Sequence, residues 1–204
     1  DRPGQERGVV GTGSGRPPDM RDAAPTVLIL ASGRGERFVA SGGQGSKLQA
    51  LLNGKPVLQH TLDAVCASGL PFHLEASGHA GMGDTIAAAV RATQDAAGWL
   101  ILPGDLPLIQ SSTLLAVAAH LVQSPVVVPT FEGQRGHPVG FAQVCRDALM
   151  ALQGNRGAAL VVQAYGATEL IVNDVGTVTD IDTVQDLQRA AHALAHGRRP
   201  WSTA

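Results

Sequence analysis

The sequence predicts a single three-layer α/β/α domain, a mostly parallel sheet covered by helices on both faces, and three observations carry that expectation. From Thr26 onward, short apolar runs alternate with helical patterns, as in sheets assembled from strand–helix–strand units. The strongest strands, TVLILA (26–31) and GWLILPGD (98–105), are continuously apolar, as strands covered on both faces are. The 204 residues, 44% hydrophobic and 3% aromatic, suffice for one core of Ala, Val and Leu and are too few for two full domains.

Each element then follows from its own local signal. Residues 1–25, rich in Gly, Pro, Arg and Asp and lacking an apolar signal-peptide core, are expected to be a disordered tail or an expression remnant, with Met20 just ahead of the first strand. The domain proper is expected over 26–196, and 197–204 is a C-terminal tail whose Trp201 has no assigned role. KPVLQHTLDAVCAS (55–68) reads as a helix with Pro56 near its first position and Gly69 as its stop. PFHLEA (71–76) is a strand, DTIAAAVRATQDA (84–96) a helix, and SSTLLAVAAHLVQ (111–123) a helix with a serine cap. PVVVPTF (125–131) is a strand, and RGHPVGF (135–141) is a loop leading into a short one. VCRDALMAL and AALVVQAYG read as helices, TELIVN (168–173) as a strand, and TVQDLQRAAHALAH as the closing helix.

Charge and composition exclude several function classes. The formal net charge is −2 with both signs interspersed, which leaves no basic face for nucleic acid. Few aromatics argue against a stacking platform for single strands. No apolar run approaches the roughly 20 residues of a membrane span, so a cytoplasmic protein with small-molecule partners is expected. Cys66 and Cys145 form no C-x-x-C pair and read as ordinary buried thiols in a reducing compartment.

Ligands of such sheets bind where strands end and the following loops begin. In VLILASGRGERF (27–38), Gly33 and Gly35 allow close backbone approach, and Arg34, Arg37 and Lys47 bring positive charge, so the loop reads as a phosphate site. The alternative is a mobile surface loop, since VASGGQGS (39–46) is rich in Gly and Ser. Phe38 breaks the G-x-G-x-x-G pattern, and GSKL lacks the order of a P-loop. In LPGDLPLI (102–109), Asp105 directly follows an apolar strand as a rigid oxygen ligand suited to Mg²⁺ holding a triphosphate; a turn or helix cap is the other reading. In VTDIDTVQDL (178–187), Asp180 and Asp182 point the same way in extended backbone, so one could meet Asp105 across a metal. Asp182 could also cap the last helix, with Gln185 completing a capping box. Gly81 and Gly83 precede a helix whose free N–H groups could hold a base, ribose or phosphate oxygen, or could form a plain turn capped by Asp84 or Thr85. His137, beside Arg135, Gly136 and Pro138, could contact an anionic acceptor or be structural.

Taken in order, LASGRGERF with the later Lys47, GMGDTIAAAV, LPGDLPLI, GQRGHPVGF with LQGNRGAAL, and DIDTVQDL resemble the MobA-like nucleotidyltransferase superfamily. Within it the chain looks most like the molybdenum cofactor cytidylyltransferases. The resemblance covers 26 to about 190 and implies a Rossmann-like sheet of the nucleotide-diphospho-sugar transferase type. It implies Mg²⁺-dependent transfer of CMP from CTP to the phosphate of molybdopterin, with a molybdenum hydroxylase as a possible client. Carried over residue by residue, it implies that Leu30, Ala31, Ser32, Gly33, Arg34 and Gly35 hold the triphosphate with Arg37, while Lys47 neutralises phosphate charge. Asp105 and Asp182 would hold the metal, with Pro103 and Gly104 beside them; Gly83, Asp84 and Thr85 would serve base and ribose; Arg135, Gly136, His137 and Pro138 would face the acceptor. The chain departs from the family pattern in a longer loop before Lys47, in room for only one strand before GMGD, and in Asn155 where an acid is common. Two other readings keep the site: a sugar-1-phosphate nucleotidyltransferase, and a non-catalytic nucleotide-sensing or cofactor-delivery protein.

Overall fold

Every residue of β1 (Thr26–Leu30) is buried in the computed structural model, which describes residues 23–33 and 35–196. Most of the expected N-terminal tail, the C-terminal tail with Trp201, and Arg34 lie outside the described residues. After β1 come α1 (Glu36–Ala40), a small antiparallel hairpin of β2 (Leu51–Leu52) and β3 (Lys55–Pro56), α2 (Val57–Ser68), β4 (Phe72–Glu75) and α3 (Met82–Ala92). The chain continues through β5 (Gly98–Pro103), α4 (Ser111–His120), β6 (Val126–Phe131), β7 (Gln134–Arg135) and β8 (Val139–Ala142). It ends with α5 (Arg146–Met150), α6 (Ala159–Tyr165), β9 (Ala167–Ile171) and α7 (Val184–Ala195).

One sheet of seven strands among the described residues organises the molecule, in the order β4-β1-β5-β8-β6, with β9 along the far side of β6 and β7 pairing the end of β6. β4, β1 and β5 are mutually parallel, as are β6 and β9, whereas β8 runs antiparallel to both neighbours, β5 and β6. Because side chains alternate across a strand, the sheet feeds two cores. Leu28, Leu30, Trp99, Ile101, Val126 and Phe141 pack with Ile86, Ala89 and Val90 of α3, Leu149 of α5 and Val161 of α6. On the other face Val27, Ile29, Leu100, Leu102 and Val127 meet Val65 of α2 and Leu114 and Val117 of α4. These are the three expected layers. A third cluster, of Phe38, Leu52, Val57, Leu108, Ile181, Ala190 and Ala193, fastens α7 over α1 and the hairpin.

Several boundaries differ from expectation for local reasons. α3 begins at Met82, two residues before the expected start, and stops at Ala92, where Thr93 leaves the helical dihedrals (φ −131°, ψ 32°); its hydroxyl accepts from Trp99 Nε1–H (3.0 Å) and donates to the carbonyl of Ala89 (2.9 Å). That hydroxyl satisfies the one polar group of a fully buried indole. α4 ends at His120 and has no serine cap; Gln110 is the cap residue, and its N–H is taken by the Asp174 carboxylate. α7 is capped by Thr183 with Asp186 as reciprocal partner, one residue later than the Asp182–Gln185 pair the sequence suggests. Cys145 is buried, which pushes its thiol up to about 11, but Cys66 is exposed. Val57, Thr61 and Val65 form the inward stripe of α2, and Cys66 lies one step around the helix from it. Among the described residues no helix is long and apolar enough to cross a membrane.

Candidate active site

The carboxyl ends of β1 and β5 are locked before any ligand-facing side chain is added. Gly104 N–H donates to the carbonyl of Leu30 (2.9 Å), and Ala31 N–H donates to that of Glu75 at the end of β4 (2.9 Å). A side chain at 104 would meet Leu58 Cδ1 at 2.9 Å and the Leu30 carbonyl at 3.1 Å, so the backbone is closely packed against β1 there. The Thr61 hydroxyl holds the Gly104 carbonyl at 2.9 Å. The next residue, Asp105, is thereby fixed at the sheet edge.

Four of the sequence-predicted residues converge on this edge. Lys47 Nζ lies 2.6 Å from Asp105 Oδ2 and 2.9 Å from Asp182 Oδ1. Arg37, on the first turns of α1, reaches Asp182 Oδ2 at 2.6 Å. Asp182 comes within range because Ile181 N–H donates to the Asp105 carbonyl at 3.0 Å. Asp180 joins them: one carboxylate oxygen from each of Asp105, Asp180 and Asp182 lies within 4.8 Å of the others. Asp105 Oδ1 is buried with no hydrogen-bond partner among the described residues.

The electrostatics follow from this crowding. Burial alone would lower the Lys47 pKa, but the charge of Asp105 and the hydrogen bonds to Asp105 and Asp182 outweigh it and hold the ammonium above its ordinary value. Asp180 is raised, first by burial and then by the charges of Asp105 and Asp182. Beside the cluster, Gly33, Gly35, Glu36, Arg37, Lys47 and Asp182 line an open cavity of about 290 Å³. Gly35 has φ 64°, a left-handed turn that leads the chain from β1 into α1 and lays the stem of Lys47 against it. Gly33 is exposed with free space around its α-carbon, and the Ser32 hydroxyl contacts that of Thr85 at 3.3 Å.

The remaining predicted residues are placed differently. Gly83 and Thr85 are buried in the first turn of α3, where Gly83 packs against the backbone of Gln153 and Gly154. Asp84 accepts the Gly154 N–H at 3.1 Å, so this loop joins α3 to the segment 153–154. Arg135 is exposed and paired with Glu169 at 2.8 Å. Gly136 lies so close to the Thr177 carbonyl that a Cβ would overlap it, and His137 N–H donates to that same carbonyl. The His137 imidazole is lowered in pKa by burial, partly opposed by the charge of Asp105. It borders a second cavity, of about 380 Å³, with Leu30, Met82, Pro103, Phe141 and Arg156.

Two residues of consequence escaped the sequence reading. Arg156 lies within the quoted LQGNRGAAL segment but carried no assigned role; the structure sets it on the second cavity. Asp174 is buried and accepts from Gln110 N–H (3.0 Å), the Thr113 hydroxyl (2.7 Å) and Gly176 N–H (2.9 Å). It ties the start of α4 to the segment leading to Asp180, and no motif around it signals that role.

The geometry can be compared with known proteins. The family model of the MobA-like NTP transferase domain matches residues 64–169. The bifunctional protein GlmU of Xanthomonas axonopodis pv. citri is 30% identical over 145 residues, 60% of this chain and 30% of that protein. The chain spans about a third of the length of the curated relatives it matches. Rv0371c of Mycobacterium tuberculosis superposes with a TM-score of 0.69 at 21% identity, over 83% of this chain and 98% of that one; another of its structures is described as a complex with manganese. Molybdopterin-guanine dinucleotide biosynthesis protein A of Archaeoglobus fulgidus superposes with a TM-score of 0.63 at 18% identity, over 84% and 99%. At these identities the superpositions establish a shared fold.

Proposed function

The chain belongs to the MobA-like NTP transferase domain family, and on that premise we propose that it transfers a nucleoside monophosphate from its triphosphate to a phosphate acceptor, releasing pyrophosphate. CTP is the donor and a molybdopterin-type phosphate the acceptor in the reading we favour. The observation that carries the reaction class is the convergence of Lys47, Arg37, Asp105 and Asp182 beside the exposed Gly33 at the ends of β1 and β5.

The donor set fits a hard divalent cation such as Mg²⁺: three carboxylates close together, one with a buried, unpartnered oxygen. Asp105 and Asp182 would hold it, with Asp180 alongside. When bound, such an ion supplies positive charge to the phosphates undergoing displacement. The chain's own work is positioning and charge stabilisation. Gly33 and Gly35 offer the triphosphate backbone along the open cavity, Arg37 supplies a forked donor beside them, and Lys47 a compact, less exposed charge. No nucleophilic side chain is required, because the acceptor phosphate itself attacks.

Gly83, Asp84 and Thr85 support the site indirectly in this reading, by fixing the first turn of α3 beside Ser32. The second cavity supports the acceptor assignment. It includes Leu30 at the end of β1 and Pro103, two residues before Asp105; its walls are mostly apolar, and His137 and Arg156 are its polar side chains. Those walls suit an acceptor with a ring body better than a polyol, which favours the pterin over a sugar 1-phosphate. A molybdenum hydroxylase would then receive the product.

The test is pyrophosphate release with Mg²⁺, running CTP, GTP and UTP separately against molybdopterin and a sugar 1-phosphate. Release with CTP and molybdopterin alone is expected. Release with the sugar phosphate would keep the site and overturn the acceptor. Triphosphate binding without release for any pair would favour the sensing or delivery role.

A further inference from the structure

Resting on the reading of this site as a metal-dependent triphosphate site, we propose that Lys47 is an internal placeholder for the divalent cation. Its ammonium holds the carboxylates together in the metal-free protein and leaves them for the phosphates when metal and nucleotide bind.

The placement of the two cationic side chains distinguishes their roles. Arg37 has a side chain 79% exposed and touches only the outer oxygen of Asp182. Lys47 is 13% exposed and bridges Asp105 Oδ2 and Asp182 Oδ1, the inner pair. Three carboxylate oxygens within 4.8 Å of one another repel unless a cation lies among them. The ammonium supplies that cation, yet leaves Asp105 Oδ1 buried without a partner. A univalent point donor therefore meets only part of the demand that these oxygens create. A divalent ion meets more of it, but it can use Asp105 Oδ2 and Asp182 Oδ1 only after Lys47 withdraws. The four-carbon stem of lysine permits that movement.

Two consequences follow. Metal alone must displace a cation from two carboxylates, so its affinity is held down by Lys47. A triphosphate gives the displaced ammonium a new partner, so metal and nucleotide each raise the other's affinity by the same factor.

Competitive amine labelling of wild-type protein tests this without a variant, because the chain has one other lysine, Lys55, as an internal reference. Mn²⁺ alone should raise acetylation of Lys47 relative to Lys55, read by mass spectrometry, whereas unchanged or reduced labelling overturns the proposal. In parallel, Lys47→Met should bind Mn²⁺ about tenfold more tightly than wild type without nucleotide, by electron paramagnetic resonance, and should lose most of the coupling between Mn²⁺ and CTP. Equal or weaker Mn²⁺ affinity, or no uptake by either protein at millimolar concentration, also overturns it. Turnover is not read in either arm. Absence of transfer with every donor and acceptor would sink the proposed reaction while Mn²⁺-driven release of Lys47 still stood.

Discussion

The backbone N–H of Ile181 donates to the carbonyl of Asp105 at 3.0 Å, so the loops bearing Asp105 and Asp182 are joined by a bond that survives any side chain at 105. Asp105→Asn should therefore keep the fold and lose a carboxylate proposed to hold the metal. Metal-dependent transfer is expected to fall about a thousandfold, with Tm close to wild type. Near-normal turnover would remove Asp105 from the metal site.

Arg37→Ala separates binding from folding. The Arg37–Asp182 pair is largely exposed on the arginine side, and a pair of that kind contributes at most about 1 kcal/mol to stability. Chemical denaturation should show little change, while the Kd for CTP measured by calorimetry should rise severalfold. An unchanged Kd would place the triphosphate elsewhere.

Asp174→Ala tests a support that touches no ligand. Its removal leaves the Gln110 and Gly176 N–H groups and the Thr113 hydroxyl without their shared acceptor. A loss of about 3 kcal/mol or more in urea unfolding is expected, from the cost of stranding buried donors. A loss below about 1 kcal/mol would mean that the loop relaxes to let water in.

Asp186→Asn carries a pH signature. The Asp186 carboxyl is held below its ordinary value of 3.8: burial alone would raise it, but the hydroxyl and N–H of Thr183, the N–H of Asp182 and the charge of Arg189 together outweigh that. A depressed folded-state pKa gives stability that is fully present above the unfolded value and is lost as pH falls through the folded one. The variant should be about 1 kcal/mol less stable near neutrality. That gap should close as pH falls below 3.8 through the depressed value. A pH-independent gap would assign the effect to packing.

The sheet's parallel strands were legible because β1 and β5 are buried on both faces and their sequences are apolar without interruption. The approach of Asp182 to Asp105 was legible because Asp105 directly follows an apolar strand and Asp182 lies just ahead of the last helix; Lys47, in the loop between α1 and β2, was expected at the phosphates, and its place between the two carboxylates was not. What stayed hidden depends on pairing between distant segments. Nothing in the four residues VGFA announces that β8 runs antiparallel between β5 and β6. The start of α3 at Met82 was masked by Gly81 and Gly83, which read as a turn until Gln153 and Gly154 are seen packed against them. The cap at Thr183 differs from one at Asp182 by a single residue, within the ordinary uncertainty of helix ends.

The reversal of β8 makes the working edge a composite. β4, β1 and β5 arrive there with their carboxyl ends, while β8 leaves from it with its amino end, preceded by the turn of His137 and Pro138. The loops proposed to serve donor and acceptor thus have opposite chain polarity and are anchored through different partners: the first by Leu30 and Gly104, the second by Pro129 and Thr177. In the proposed reading, rewriting residues 132–138 would alter the acceptor side and leave the Leu30–Gly104 anchorage of the triphosphate side in place, whereas changes at 153–154 would reach α3 and Ser32 through Gly83, Asp84 and Thr85.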